Sequence, residues 1–401
     1  MQSVVELSLT EEQQKLKETI REFVDKEVKP DCRRRERMED PAQRVPWDWI
    51  TTLSRMGLRT MPVPEEYGGA GADTLTQCMA AEELAVGDAG LAETIDSVWR
   101  WVPVLVYMAN EEQRRRYLPP FMADDTFLFA YGITEPTAGS DHFLPYNVPG
   151  YGPMLSAQRD ANGDWLLNGS KIYVSNGGVA KLYIVHARTD FSKGGIEGLT
   201  AFFVEPGQPG FSIGRIEDKV GQRLMHNGEL ILDNCRVPAE NVVGKEGDSV
   251  AFLQETLYPS VAPYAAVDLG IGRAAFEDAL VYAKHRVQGG KPIIGHQAIK
   301  MMLADMLTQI RAARLLIWQV AWMADHPEHL DRAALFVAKL FTAEASFQVC
   351  KMAIEIFGGA GIMRDSPVEK YLRDAATFLH APSQQITRLR IGDALEVKSL
   401  V

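Results

Sequence analysis

The stretch 131–141, YGITEPTAGSD, carries residue types that could hold a polar ligand. It follows an apolar run and offers hydroxyl groups, backbone N–H groups and a carboxylate in a tight, glycine-containing turn. Such groups bind a ligand when a fold holds them in one place. By composition alone a surface turn is the simpler interpretation. A ligand-binding role for this loop therefore depends on other motifs in the chain.

A second set of candidates lies on the segment 93–101, ETIDSVWRW. Asp96 stands there among apolar and tryptophan residues, and burial would raise its pKa towards the range of a base working near neutrality. Arg100 follows at the i+4 position, so a structural ion pair on one helix face is an equally good interpretation. Arg100 could instead bind an acidic group of a substrate. Glu93 is a weaker candidate base in the same segment.

Histidines give two further possibilities. His380 has a side chain whose pKa suits proton transfer, although a lone histidine is more often a packing or capping residue. His326 and His329 stand on either side of a proline in the string DHPEH. Because that proline breaks a helix, a polar loop is favoured over a metal site, and we predict no metal.

One motif resembles a dinucleotide fingerprint but lacks the context that such a fingerprint needs. The stretch 270–275, GIGRAA, matches G-x-G-x-x-A, which requires a strand before it and a helix after it. The residues at 265–268 continue a helical spacing instead. We interpret the small residues as allowing close packing between helices.

These candidates must be positioned by a chain of 401 residues, a length typical of two or three domains. Apolar residues make up 46% and charged residues 24%, as in globular proteins with a sizeable core. The net charge of −11 argues against general nucleic-acid binding. We expect a cytoplasmic protein with no integral membrane association, since no signal-peptide pattern or membrane-length apolar run is visible and the cysteines are scattered.

Local patterns divide the chain into three segments. Residues 1–126 have helical spacing, and Thr10 with Gln13 resembles a capping box. Residues 127–244 contain short β-type runs and an Asn168-Gly169 pair typical of a hairpin turn. Residues 245–401 return to long helices with wide apolar faces, which usually pack as a bundle. We therefore predict an α+β multidomain protein with an N-terminal helical domain, a middle antiparallel β-barrel or sandwich domain and a C-terminal helical bundle.

Several strings, in this order, resemble the acyl-CoA dehydrogenase family. They are the loop 131–141, then 168–177, 221–223 with 236–244, 286–299, 357–362 and 371–375. The resemblance covers essentially the whole chain. It implies the α–β–α architecture with a C-terminal four-helix bundle, FAD as cofactor and acyl thioesters of coenzyme A as substrates. It also implies a homotetramer that passes electrons to an electron-transfer flavoprotein or a similar acceptor.

The same resemblance implies which residues hold the flavin. Ile133 and Thr134 would meet its ring, and Ser140 would lie near the flavin or the pantetheine of the ligand. Tyr173 stands in place of a tryptophan that commonly packs on the flavin, and Ser175 in place of a threonine that bonds near N5. Arg286 and Gln288 would contact the FAD of a neighbouring subunit. The other implied flavin contacts are Tyr131, Gly358, Gly359, Ser383 and Gln385.

The catalytic base that the resemblance implies is missing. Many family members carry the base in a Tyr-Glu-Gly-Thr string, and the aligned string here is HAPS at 380–383. Ala381 therefore stands at the base position and cannot take a proton. A second position used by some members, near 257–261, holds no acid either. Some members that act on cyclic acyl-CoA esters use an acid from the region of Asp96.

Three functions remain open at this point. The leading one is FAD-dependent oxidation of an uncommon acyl-CoA, a cyclic one among the alternatives, with Asp96 as the relocated base. Glu93 and His380 are alternative bases, and Arg100 and His380 are candidate substrate contacts together with Ser140. The second is a redox-neutral lyase of the same fold, such as a desulfinase, in which Arg100 anchors an acidic group. The third is a subunit without a base that only binds acyl-CoA.

Overall fold

The computed structural model describes residues 8–144, 147–380 and 383–397. Ala381, at the expected base position, lies outside the described residues. The order of elements is helices, then strands, then helices, as predicted.

The N-terminal helices begin with the predicted capping box. The Thr10 side chain accepts a hydrogen bond from the Gln13 backbone (3.1 Å), and the Gln13 side chain accepts one from the Thr10 backbone (3.0 Å). Two of the backbone donors near the helix start are thereby satisfied. The helices are α1 (Glu11–Phe23), α2 (Lys29–Glu36), α3 (Trp47–Arg55), α4 (Thr74–Gly87), α5 (Ala89–Pro103) and α6 (Glu111–Ala123).

The middle strands form one sheet. They are β1 (Phe129–Gly132), β2 (Ser156–Arg159), β3 (Trp165–Ser175), β4 (Leu182–Arg188), β5 (Leu199–Val204), β6 (Phe211–Ile216), β7 (Asn227–Val237) and β8 (Val242–Val243). The order is β6-β7-β3-β2-β4-β5-β8, with β1 beside β4. β1 and β2 pair with β4 in parallel, and the other neighbours are antiparallel.

The prediction of a hairpin turn at Asn168-Gly169 is wrong. β3 runs straight through this pair, and its register against β7 shifts between Leu167 and Gly169. Gly169 has φ 138°, and a Cβ there would approach Leu155 to about 3.1 Å. A glycine inside a strand often marks such a bulge, so the same two residues serve a bend within a strand rather than a turn between strands.

The C-terminal segment is a helical bundle. Its helices are α7 (Ser249–His285), α8 (Gln297–Asp325), α9 (Arg332–Phe357), α10 (Pro367–Phe378) and α11 (Gln384–Val397). α7, α8 and α9 pack on one another, α10 packs on α7 and α9, and α11 packs on α9. A short hairpin, β9 (Val287–Gln288) with β10 (Lys291–Pro292), joins α7 to α8.

The stretch Arg332–Ile362 is long and apolar enough to cross a membrane by length and composition. However, 56% of its most apolar window is buried inside the protein. A helix at the centre of a bundle has this composition, and packing against α7 and α8 accounts for it.

The stretch resembling a dinucleotide fingerprint lies in the middle of α7, which confirms the packing interpretation. A Cβ on Gly270 would stand 2.5 Å from the Glu82 carbonyl and 2.6 Å from the Ala85 side chain, both on α4. Gly270 thus lets α4 approach α7 closely. The next helix, α5, contacts α4, α7 and β1, and this places its residues where the three segments meet.

Candidate active site

The loop after β1 is fixed by a buried ion pair. Lys171 Nζ donates to Glu135 Oε1 (2.6 Å) and to the Ile133 carbonyl (3.2 Å). The Glu135 carboxylate also accepts hydrogen bonds from the backbone N–H groups of Met154 (2.7 Å) and Leu155 (2.8 Å). Burial lowers the pKa of Lys171 to about 8, while Glu135 opposes that change. The loop is therefore held in one conformation against β3 and the chain before β2.

Two predicted flavin contacts from distant parts of the chain meet at this loop. The Ser383 backbone N–H donates to Ser140 Oγ (3.2 Å), which ties the loop to the residue before α11. Ile133 is buried and Thr134 is half-buried, and the Thr134 carbonyl accepts from the Ile172 N–H (2.9 Å). The loop thus joins the middle sheet to the C-terminal helices.

Tyr173 has an unusual backbone for a tyrosine. It lies at φ 57°, its side chain is 60% exposed, and the register of β3 against β7 shifts between Lys171 and Val174. Its carbonyl accepts a hydrogen bond from Asn227 Nδ2 (2.7 Å). A non-glycine residue in the left-handed region costs about 1–2 kcal/mol. An aromatic ring is therefore presented outwards in a strained conformation, one residue from Ile172 and two from Ser175.

The remaining predicted flavin contacts other than Gln385 lie at one end of the bundle. Arg286 and Gln288 are exposed at the β9–β10 hairpin. The rings of Tyr282 and Phe357 stack with centroids 4.1 Å apart and so join the end of α7 to the end of α9. Directly after α9, neither Gly358, at φ 60°, nor Gly359 would bring a Cβ within 4 Å of another atom. Gln385, in α11, is also exposed.

The acids on α5 form a buried cluster with Arg100. Arg100 Nη2 donates to Glu93 Oε1 (3.1 Å) and to Asp96 Oδ2. Only 4% of Glu93 and 1% of Asp96 are exposed. The Arg100 guanidinium also lies over the Tyr264 ring of α7, 5.0 Å from its centroid. The predicted Asp96–Arg100 pair is confirmed, and Glu93 is a second partner of the same guanidinium.

This cluster has more acid than base. Burial raises the pKa of Glu93 to about 8, with Arg100 opposing, and burial also raises the pKa of Asp96. Burial would lower the pKa of Arg100, but the two acids outweigh it and raise that pKa. Because one guanidinium compensates one buried carboxylate, we assign the proton that the cluster holds at neutral pH to Glu93 and the negative charge to Asp96.

The cluster lies close to the segment that should carry the family base. The Tyr264 ring packs on Phe378 of α10 with centroids 4.8 Å apart, and the string 380–383 follows directly. His380 is exposed and its backbone N–H bonds to the Thr377 carbonyl (3.2 Å). Three successive side-chain contacts, from the acids to Arg100, from Arg100 to Tyr264 and from Tyr264 to Phe378, thus connect the acids of α5 to α10.

An aromatic cluster joins α5 to the loop, and the sequence analysis missed it. Trp101 stacks on Tyr131 with centroids 4.1 Å apart, and Phe252 lies parallel to Tyr131 at 6.2 Å. The His186 ring meets both Tyr131 and Phe252 edge-on, and its Nδ1 lies 2.8 Å from Ser249 Oγ. Burial lowers the pKa of His186 well below its usual value, so its imidazole is neutral. The sequence analysis named Tyr131 as an implied flavin contact, but nothing in the sequence linked Tyr131 to Trp101.

The protonated Glu93 should make stability depend on pH. Its pKa is about 8 in the folded protein against 4.5 for an ordinary glutamate, so folding is favoured below about pH 4.5 and progressively less favoured up to about pH 8. We expect the melting temperature of Glu93→Gln to exceed that of the wild type at pH 8 and to approach it at pH 5. Thermal unfolding from pH 5 to 9 measures the difference, and parallel curves for the two proteins would contradict it.

Comparison with known proteins covers nearly the full chain. Models of the acyl-CoA dehydrogenase N-terminal, middle and C-terminal domains match residues 10–125, 130–235 and 250–394. An acyl-CoA dehydrogenase of Bacillus subtilis is 37% identical over 97% of this chain and 99% of its own length.

Solved structures show the same similarity over nearly the whole chain. Butyryl-CoA dehydrogenase of Megasphaera elsdenii superposes with a TM-score of 0.89 at 35% identity, covering 97% of this chain and 99% of that one. A chain from a structural study of the electron transferring flavoprotein of Acidaminococcus fermentans and flavin-based electron bifurcation gives a TM-score of 0.88 at 36% identity, with coverage of 97% and 99%.

Proposed function

This chain belongs to the acyl-CoA dehydrogenase family, and from that premise we propose that it oxidises the CH–CH group of an acyl-CoA with FAD as cofactor and Asp96 as the base. The observation that supports the proposal is the buried Glu93–Asp96–Arg100 cluster, which is connected through the Tyr264 ring to Phe378 of α10.

The residues present fit FAD. Tyr173 offers an exposed aromatic face next to the loop, and the strain in its backbone is typical of a functional position. Gly358 and Gly359 leave open space for the close approach of a pyrophosphate to the backbone. Arg286, exposed at the same end of the bundle, supplies a positive charge that suits an anionic ligand. When bound, FAD supplies the hydride-accepting chemistry.

Asp96 is the acid best arranged to take a proton. Its Oδ2 accepts from Arg100, whereas its Oδ1 has no hydrogen-bond partner among the described residues. Arg100 keeps the carboxylate ionised and oriented, and burial keeps it more basic than an exposed aspartate. The neutral Glu93 adds no second charge that would compete for Arg100. These roles combine the two interpretations of the Asp96–Arg100 pair rather than choosing between them.

The aromatic cluster would exclude water from the reacting atoms. The buried rings of Trp101 and Phe252 and the half-buried ring of Tyr131 form a wall between α5, the loop and α7. A dry site strengthens the hydrogen bonds that polarise a thioester carbonyl and so acidify the neighbouring C–H.

The competing functions are less well supported by this geometry. An arginine that anchors an acidic acyl group needs a free guanidinium, and Arg100 already binds two buried carboxyl groups. We therefore place the desulfinase-type lyase second and the base-less binding subunit third.

We propose an uncommon acyl group, for which a cyclic one is among the alternatives, and an electron-transfer flavoprotein or similar acceptor. We propose a homotetramer in which Arg286 and Gln288 serve a neighbouring subunit, since both are exposed and α8 presents the exposed apolar residues Met301 and Leu315.

Anaerobic mixing of the flavin-loaded protein with straight, branched, cyclic and dicarboxylic acyl-CoA esters tests the function. Bleaching of the flavin spectrum by at least one ester is expected. Product formation without bleaching and without an electron acceptor would favour the lyase, and binding without either would favour the non-catalytic subunit.

Tyr173→Gly should separate backbone strain from cofactor binding. Glycine removes a cost of about 1–2 kcal/mol at φ 57°, and the exposed ring contributes little packing, so the apoprotein should keep or gain thermal stability. FAD affinity should fall about tenfold because the aromatic face is lost. Thermal unfolding of the apoprotein and FAD titration measure the two effects, and Tyr173→Phe is the matched control. Unchanged FAD affinity in the glycine variant would remove Tyr173 from the flavin site.

A further inference from the structure

We propose that the acyl group of the substrate carries a hydroxyl group, and that Ser97 and Glu93 on α5 form the subsite that receives it. This inference rests on the proposed function, because it concerns the acyl group from which Asp96 would take a proton.

The geometry of α5 places these residues side by side. Successive helix residues are rotated by about 100°, so positions 93, 97 and 100 lie along one face and position 96 lies beside Arg100. Trp101 is next around the helix from Ser97. Ser97 therefore lies between the Glu93–Asp96–Arg100 cluster and Trp101, which stacks on Tyr131 at the start of the loop. An acyl chain that extends from the loop towards the cluster would pass Ser97.

Three buried polar atoms on this face lack partners. Ser97 Oγ, Glu93 Oε2 and Asp96 Oδ1 have no hydrogen bond to any of the described residues. Ser97 is 0% exposed, so solvent outside the protein does not reach it. Buried polar atoms are almost always bonded, and leaving one unbonded is unfavourable. Three on one helix face indicate a ligand group that both donates and accepts.

The chemistry of the three atoms selects a hydroxyl group. Glu93 Oε1 accepts from Arg100, so the proton assigned to Glu93 lies on Oε2, which can donate to the oxygen of a ligand hydroxyl group. The Ser97 Oγ can accept the hydrogen of that hydroxyl group. A carboxylate would bring a third acid to a cluster whose one guanidinium is already shared by two. A methyl or methylene group would leave the polar atoms unbonded, which a site built for a hydroxyl penalises strongly.

Matched acyl-CoA pairs test the subsite. In each pair a hydroxyl replaces a methyl group of nearly equal size: 4-hydroxybutyryl-CoA against pentanoyl-CoA, 5-hydroxypentanoyl-CoA against hexanoyl-CoA, and 4-hydroxycyclohexanecarbonyl-CoA against 4-methylcyclohexanecarbonyl-CoA. Dissociation constants come from titrations that follow the flavin spectrum and tryptophan fluorescence of the flavin-loaded protein. We expect the hydroxy ester to bind at least about tenfold more tightly in at least one pair.

Two variants locate the effect. Ser97→Ala should abolish most of the preference without weakening the methyl ester. Thr94→Ala is the matched control, since its hydroxyl lies on the same helix but already donates to the Gly90 carbonyl (2.8 Å), and it should keep the preference. Equal or tighter binding of the methyl esters in all pairs, binding of none of the six esters, or a preference unaffected by Ser97→Ala would overturn the subsite.

The same titrations distinguish this inference from the proposed function. If the hydroxy ester binds preferentially and no ester bleaches the flavin, the result supports the hydroxyl subsite and contradicts the proposed dehydrogenation. If the methyl esters bind equally well and bleach the flavin, the result supports the proposed dehydrogenation and contradicts the hydroxyl subsite.

Discussion

The Asp96→Asn variant is expected to keep its fold and its flavin and to lose about 10²–10⁴-fold in turnover. Asparagine has nearly the shape of aspartate and its amide oxygen can still accept from Arg100, so the packing of α5 is preserved. It cannot take a proton, and the position usually occupied by the family base holds Ala381. The measurements are kcat with an acceptor dye and the rate of flavin bleaching after anaerobic mixing with the best ester of the panel.

The controls separate chemistry from structure. FAD stoichiometry and melting temperature of Asp96→Asn should stay near those of the wild type. Glu93→Gln should retain activity at neutral pH, because we expect Glu93 to be neutral there already. The wild-type rate should rise with pH as Asp96 ionises. Full turnover in Asp96→Asn would transfer the base to another group or remove the need for one.

Some of this arrangement could be predicted from the sequence because it depends on local patterns. The Thr10–Gln13 capping box, the helical setting of the 270–275 stretch and the i, i+4 pairing of Asp96 with Arg100 all involve residues within a few positions of one another. Asn168-Gly169 is local too, but the pairing of β3 with β7 decided between hairpin and bulge, and the local sequence does not contain that information.

The rest of the site depends on contacts between distant segments. Trp101, Tyr131, His186 and Phe252 meet only because α5, β1, β4 and α7 pack together. Lys171 reaches Glu135 across 36 positions, and Tyr264 joins Arg100 to Phe378. Family resemblance implied the flavin positions and an acid in the region of Asp96, but it did not predict that Glu93 shares the Arg100 guanidinium with Asp96.

Removal of the Arg100 guanidinium should have the largest effect on stability. In Arg100→Leu, two buried carboxyl groups lose the guanidinium to which both are bonded, and we expect a loss of about 3–5 kcal/mol in the free energy of unfolding. Both acids would then hold their protons to higher pH, so the loss should shrink towards pH 5 and grow towards pH 8. Urea unfolding at these two pH values measures it, together with the activity, which should fall as Asp96 becomes protonated.

A matched series shows whether the charges are responsible. Adding Glu93→Gln and Asp96→Asn to Arg100→Leu removes the unpaired acids and should recover much of the lost stability, whereas the volume change at position 100 is the same in both proteins. Arg100→Lys keeps the positive charge but lacks the planar guanidinium that reaches both acids. Its free energy of unfolding should therefore lie between those of the wild type and Arg100→Leu. If Arg100→Leu instead unfolds like the wild type and only weakens binding of acidic acyl-CoA esters, Arg100 is a substrate anchor. The lyase would then become the better account of a family member without its usual base.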